Sequence, residues 1–385
     1  MKTALISILS LLLLSTLWIG SASAEEQFIR RAAVTGRSGP GTFFDAVVVL
    51  KRGRSVTVTE TVKRWAKVKV GKHLVWIPTN GLVTTPKKKK HRALTREEAG
   101  DISASPAGLA AAAKGFASQF AKRTKAHQIS TLMGPRMSAE AFQKGLKRFH
   151  ATHPERSWPF PNEYQEPPFA DGWESKLGLA VTAKLVGYYG LVEDHAQARS
   201  LTLLANVIGL QSVRFDIPWK VFVLDSDELN AFGLSDGYIL ITRGLLAKCT
   251  SLEERAAILA HEVAHVVRYH NLTELQARKV DVQADTAQDA MNKAFGEAPD
   301  PDVEALSSVA MQAYSFLHKD RLEAYEYEAD HLAAVYLYRA GLPPHALVNV
   351  LNKVKRERGD QEAYSGHPAF SKRIKALNDH IRKMR

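Results

Sequence analysis

The stretch that decides the reading is LEERAAILAHEVAHVV, residues 252–267, with Ser251 just before it. It holds no Gly or Pro and is rich in helix formers, so the sequence predicts an α-helix. Ser251 fits its N-cap, and Glu254 three residues on completes a capping box. Within it, His261-Glu262-Val263-Ala264-His265 sets two imidazoles four residues apart. Four residues of helix turn through about 400°, so both rings leave one face, a turn apart, and can offer nitrogen to a single ion. Glu262 sits about 100° round the helix, within reach of a metal-bound water without displacing a ligand. These polar residues interrupt an apolar, buried-looking run, where two solvated histidines have no reason to be.

A hydrolytic zinc centre needs a third protein ligand and an open position for water. The 385-residue chain has one cysteine, Cys249, which excludes disulfide scaffolds, Cys-rich zinc clusters and iron–sulfur sites, so a metal must be held by His and carboxylate. The candidate third ligand lies 61 residues beyond His265, in Tyr325-Glu326-Tyr327-Glu328-Ala329-Asp330, on a helix predicted from about Val303 to Ala340. Glu326 and Asp330 share a face four residues apart, so one can bind the ion while the other hydrogen-bonds a ligating imidazole. Spacing leaves open which does which. Glu328 faces elsewhere and reads as a salt-bridging residue. His270, His318 and His331 read as surface or packing residues, and Cys249 as a small buried hydrophobe.

Upstream of the motif the pattern is α+β. A helical segment is predicted from about Trp173 to Gly209, followed by strands at Trp219–Leu224 and Tyr238–Thr242, with Gly233 and Gly237 flanking the turn between them. From Phe28 to Val83 the chain alternates in short strands punctuated by Ser38-Gly39-Pro40-Gly41, Arg52-Gly53 and Val70-Gly71-Lys72, which predicts a small closed β-barrel with Trp65 and Trp76 in its core. Helical stretches are expected near Pro106–Ala126 and Ser138–His150, before a Pro-rich passage.

Charge divides the chain. Residues 25–92 carry 16 basic against 4 acidic side chains, whereas residues 93–385 carry 35 against 36. A chain-wide nucleic-acid footprint is therefore excluded, and the run Lys87–Lys90 with Arg92 marks a linker. Lys2, the apolar run Ala4–Ile19 and the small residues Gly20–Ala24 read as an export signal cleaved near Glu25, with Ala22 and Ala24 as the small-x-small pair. No later segment offers 18 consecutive apolar residues, so no transmembrane span is expected in the mature chain.

Two resemblances follow from these residues. Arg37-Ser38-Gly39-Pro40-Gly41, Lys51-Arg52-Gly53, Arg64-Trp65-Ala66-Lys67-Val68 and Val75-Trp76-Ile77-Pro78 resemble the signposts of a bacterial SH3-like barrel. The motif His261-Glu262-x-x-His265, then Glu326-x-x-x-Asp330, preceded by Asn230-Ala231-Phe232 and Tyr238–Leu246, resembles the gluzincin metallopeptidases of the HtpX and CAAX-protease type, especially their periplasmic, Oma-like members. That resemblance implies Glu326 as third zinc ligand, with Asp330 bonded behind a ligand. It implies that the strand Tyr238–Thr242 accepts an extended peptide by strand addition. It also implies that His367, in Gly366-His367-Pro368, and Arg373 approach the site, the His as a metal cap or catalytic aid and the Arg or His steadying an oxyanion. Family members carry Pro-Gly-Gly where this chain has Ser235-Asp236-Gly237.

The expected organisation is a signal peptide at 1–24, an SH3-like barrel at 25–86, a basic, helical and Pro-rich connection at 87–169, and a mostly helical α+β zinc-peptidase domain with a small sheet at 170–385. The function expected is that of a periplasmic Zn2+ endopeptidase acting on extended or unfolded polypeptides from misfolded exported proteins, with Glu262 as general base. The basic barrel is a candidate contact for cell-wall polymers or an anionic envelope surface. Competing readings are a peptidoglycan hydrolase and a latent chaperone or adaptor whose zinc site is capped by His367.

Overall fold

In the computed structural model, residues 25–85, 137–159, 165, 173–277, 323–360 and 368–384 are described. The export signal, the Lys87–Arg92 run, the helix expected near Pro106–Ala126, the first part of the helix expected from Val303, His318 and His367 lie outside these residues.

Alternation of apolar and polar residues builds the N-terminal unit. Its strands are β1 (Glu25–Ile29), β2 (Ala33–Arg37), β3 (Ala46–Lys51), β4 (Ser55–Val62), β5 (Trp65–Val70), β6 (His73–Pro78) and β7 (Leu82–Val83). They pair in the order β3-β2-β6-β5-β4-β1-β7, antiparallel throughout. Ile29, Val34, Leu50, Val68, Val75 and Ile77 fill the inside, each 3% exposed or less. Trp65 and Trp76 are not among them, contrary to the sequence expectation. They face outward and pack with Phe215 of the C-terminal unit, Trp65 edge-on to the Phe215 ring at 5.7 Å. An outward aromatic on an alternating strand is buried only if another surface covers it. Polar contacts frame this junction. Arg31 pairs with Asp216 at 2.5 Å, Asn80 donates to the Val213 carbonyl and Arg64 to the Leu210 carbonyl, while the Arg64 guanidinium lies 3.7 Å from the centre of the Phe215 ring. Burial alone would raise the Asp216 carboxyl, but Arg31 outweighs it and holds it below the usual carboxylate range.

The C-terminal part is mostly helical around a three-stranded sheet. After α1 (Ala139–Thr152), the predicted helical segment is two helices, α2 (Trp173–Tyr189) and α3 (His195–Gly209). Gly190, at φ 77°, ends the first, and Asp194 caps the second through the Gln197 N–H. The sheet has three strands where two were expected: β8 (Lys220–Leu224), β9 (Ala231–Leu234) and β10 (Tyr238–Thr242), in the order β8-β10-β9. β10 runs parallel to β8 and antiparallel to β9. Both of its edges are therefore taken, so it cannot accept a peptide by strand addition; among the described residues the outer strands are β8, bridged at Leu224 by Leu191, and β9. The β9–β10 turn, Ser235-Asp236-Gly237, places Asp236 and Gly237 in the left-handed region at φ 61° and 80°, conformations that Asp tolerates and Gly favours.

Beyond the sheet run α4 (Arg243–Lys248), α5 (Leu252–Val267), α6 (His270–Ala277), α7 (Glu323–Arg339), α8 (His345–Arg358) and α9 (Phe370–Lys383). Helix α5 is capped as its sequence predicts: Ser251 Oγ accepts the Glu254 N–H, and Glu254 reaches back to the Thr250 N–H. From Ala256 to Val267 it is buried on every side through the centre of the domain, packed by α3, α7, α8 and β9. Among the described residues no helix is long and apolar enough to cross a membrane.

Phe215 is 2% exposed at the junction of the two units. Phe215→Ala is expected to lower stability by about 3–5 kcal/mol, read by thermal or urea denaturation. A loss below about 1 kcal/mol would contradict the docked arrangement.

Candidate metal centre

The centre grows from α5 and α7, whose facing sides bring together residues 61 positions apart. His261 and His265 project from one face of α5 with their Nε2 atoms 3.1 Å apart. Glu326, on the first turn of α7, lies with Oε1 3.4 Å from His265 Nε2 and Oε2 3.5 Å from His261 Nε2. Ligand atoms about 2.0–2.1 Å from one tetrahedral zinc are separated by roughly 3.3–3.4 Å. The three donors thus have the chemistry and the mutual spacing of two imidazoles and a carboxylate around one such ion, and they form the His/Cys/Asp/Glu cluster found among the described residues. All three are buried, Glu326 and His265 completely.

The carboxylate one turn further along α7 supports this set. Asp330 Oδ1 lies 3.0 Å from His261 Nδ1, the ring atom turned away from the centre. Arg373 of α9 reaches in with its whole guanidinium: Nε and Nη2 donate to Asp330 at 2.8 and 2.7 Å, and Nη1 lies 2.9 Å from Glu326 Oε2. Burial would raise the Asp330 carboxyl, but Arg373 and then His261 outweigh it and keep it below the usual range. The reverse holds for His261, where burial disfavours charge but Asp330 and Glu326 push its pKa up to about 9. Two buried carboxylates set against the imidazoles give the centre a field suited to a cation.

Glu262 points to the other side of the α5 face. Its Oε2 accepts the Gly233 N–H of β9 at 2.6 Å, which fixes the carboxylate against the sheet edge. Asn271 of α6 donates to the Gly233 carbonyl at 2.7 Å. Gly is required at 233 by close approach, because a Cβ there would lie 2.4 Å from the Glu262 carbonyl oxygen. A cleft of about 130 Å³ opens onto the centre, lined by Ala231, His261, Glu262, Glu326, Pro368 and Arg373 among others.

Of the residues that the sequence singled out, the structure thus assembles His261, Glu262, His265, Glu326, Asp330 and Arg373, while His367 lies outside the described residues. Glu328 pairs with Arg268 at 2.6 Å, as expected of a salt-bridging residue. Cys249 is buried, and its thiol is pushed up to about 12 chiefly by that burial, so it stays a protonated hydrophobe. His270 was read as a bystander, yet its Nδ1 lies 2.9 Å from His265 Nδ1 and its Nε2 3.1 Å from Glu328 Oε2. Five residues from His265, it falls off the helical face. What returns it is Tyr269, whose left-handed φ of 57° turns the chain between α5 and α6, a bend that composition does not announce. Gly233 and Asn271 were missed with the short strand that carries one of them.

Comparison with known proteins agrees with the geometry. Residues 196–381 match peptidase family M48. The beta-barrel assembly-enhancing protease of Escherichia coli (strain K12) is 26% identical over 211 residues, covering 51% of this chain and 40% of that protein. The metalloprotease LoiP of the same organism is 26% identical over 186 residues, 48% of this chain and 70% of LoiP. Mitochondrial metalloendopeptidase OMA1 of Arabidopsis thaliana is 30% identical over 165 residues, 42% of this chain and 31% of that protein. The chain spans about two fifths of the length of the first of these relatives.

The proton on His261 has a measurable consequence. Its folded pKa of about 9 exceeds the ordinary 6.5. In the metal-free protein it therefore contributes stability that is complete below about pH 6.5 and is lost as pH rises through about 9. A zinc ion held at His261 would displace that proton, so apparent affinity should tighten by up to about tenfold per pH unit between roughly 7 and 9 and then level off. Chelator competition across this range measures it, and a flat profile would contradict the arrangement.

Proposed function

We propose, starting from a chain that carries a metallopeptidase domain of family M48, that this protein is a zinc endopeptidase of the cell envelope that cleaves misfolded or misassembled exported polypeptides. The observation that carries the reading is the convergence of His261, His265 and Glu326 donor atoms at 3.1–3.5 Å beside a buried Glu262. These three residues would hold the zinc, which when bound supplies a Lewis acid that polarises a carbonyl and acidifies water.

The remaining chemistry belongs to the chain. Glu262 takes a proton from the attacking water and delivers it to the departing amine. Its rotation is fixed by the Gly233 N–H, so the carboxylate need not search for its orientation during the reaction. Asp330 orients His261, and Arg373 holds the Asp330 and Glu326 carboxylates in register.

An extended substrate would lie along the outer edge of β9, not on β10. Gly233 already spends its outward N–H and carbonyl on Glu262 and Asn271. Strand alternation turns the backbone of Ala231 to the same side; its N–H is held by Asn230 Oδ1 at 3.0 Å, so its carbonyl, at the cleft, is the group to pair with a peptide there. The envelope location is supported by the leader-like residues 1–24 and by the name of the Escherichia coli relative, a beta-barrel assembly-enhancing protease.

The test is casein cleavage by the purified chain with bound zinc counted in parallel. One zinc per chain is expected, with cleavage abolished by chelator and restored by zinc. Glu262→Gln should keep the zinc and lose at least about 10²-fold in rate. Cleavage by Glu262→Gln at the wild-type rate would overturn the reading.

A further inference from the structure

His265 is completely buried, and one of its two nitrogens faces the centre while the other, Nδ1, faces His270. His270 is itself 3% exposed, and its ring lies flat on Tyr325 at 4.3 Å between centroids and 8° between planes. Beyond it stands Glu328, held from the other side by Arg268 at 2.6 Å. A row of three side chains, His265, His270 and Glu328, therefore runs outward from the buried His265 to the partly exposed Glu328, whose side chain is 35% exposed.

The direction of the hydrogen bonds along this row is set by its outer end. Arg268 can only donate, so Glu328, paired with it at 2.6 Å through Oε1, is an accepting carboxylate whose Oε2 faces His270. His270 must then donate from Nε2. A neutral imidazole with its proton on Nε2 offers only a lone pair at Nδ1, so the group facing it, His265 Nδ1, must be the donor. With its proton on Nδ1, His265 has its lone pair on Nε2, the atom 3.4 Å from Glu326 Oε1 and 3.1 Å from His261 Nε2.

We propose that His270 and Glu328 are positioning residues that lock the His265 imidazole in the tautomer whose Nε2 lone pair faces the metal centre. This rests on the reading that His261, His265 and Glu326 hold zinc. The two histidines are then held by different devices: His261 by a buried carboxylate clamped by Arg373, and His265 by a neutral imidazole relayed to a carboxylate near the surface. Glu328 is thereby a handle on the centre from outside the cleft. It does not touch substrate in this account.

The test uses the full chain as wild type, His270→Phe and Glu328→Gln. The first substitution keeps the stack on Tyr325 but removes both hydrogen bonds, while in Glu328→Gln the new amide oxygen still accepts from His270 Nε2. Zinc affinity by chelator competition should fall about 10- to 100-fold in His270→Phe and stay within about threefold of wild type in Glu328→Gln. Nitrogen-15 shifts of the metal-free wild type should show His265 protonated on Nδ1 and bare on Nε2. Wild-type zinc affinity in His270→Phe, or a proton on His265 Nε2, would overturn the proposal. A purely structural role for His270 would lower the melting temperature of His270→Phe without moving zinc affinity, which also overturns it. Should His270→Phe fail to fold, the nitrogen-15 measurement on the wild type decides alone. Were the wild type to bind no zinc, the peptidase reading would fall while the tautomer of His265 still decided the relay.

Discussion

Two carboxylates four residues apart on α7, Glu326 and Asp330, are buried to 0% and 1% exposure. Taking carboxylates out of water costs several kcal/mol each unless cationic or hydrogen-bonding partners surround them. The rest of the domain is arranged to meet that demand. Arg373 arrives from α9 and spreads its guanidinium over both groups, while His261 and His265 arrive from α5. Three helices distant in sequence are thereby tied at one point, and the negative field left at their meeting place is that of a cation site. Stability and the proposed chemistry meet in one constraint, because the charge that makes α7 expensive to bury is the charge that a cation held there would meet.

The scaffold turns this point into a cleft. From Ala256 to Val267, α5 is buried on every side, and the sheet covers it on the side where Glu262 emerges. The fit is close enough that position 233 tolerates no side chain, and the same contact lets the Gly233 N–H hold the Glu262 carboxylate. Because β10 is paired on both sides, β9 is the strand that reaches the cleft, through Ala231. The N-terminal barrel settles on residues 210–216, the connection between α3 and β8, through Trp65, Trp76 and the Arg31–Asp216 pair. The two aromatics best suited to stack on a wall ligand are thus already covered by the peptidase unit.

Much of this was legible because it depends on local periodicity. The capped helix with its His-Glu-x-x-His face and the alternating strands of the barrel follow from residue spacing alone, as does the Glu326/Asp330 pair on one helical face. Which carboxylate faces the imidazole nitrogens of the centre was not legible, since both share the face and only packing against α5 separates them. The strand Ala231–Leu234 escaped because it is four residues long and contains a glycine, a residue that weakens a strand signal but is needed here for close approach. Gly190 and Asp194 were readable as a helix stop and start, yet were passed over within an apolar stretch. Trp65 and Trp76 were placed in the wrong core because periodicity tells which face a residue is on, not which partner covers it. His270 was missed because one left-handed residue, Tyr269, undoes helical spacing.

The central claim is that His261, His265 and Glu326 hold one zinc ion. X-ray absorption at the zinc edge of the purified chain tests it most directly. One tightly bound zinc is expected, with nitrogen and oxygen neighbours at about 2.0–2.1 Å, at least two imidazoles among them, and loss of that signature in Glu326→Ala. Zinc absent from the wild type, or a coordination shell unchanged by Glu326→Ala, would contradict it.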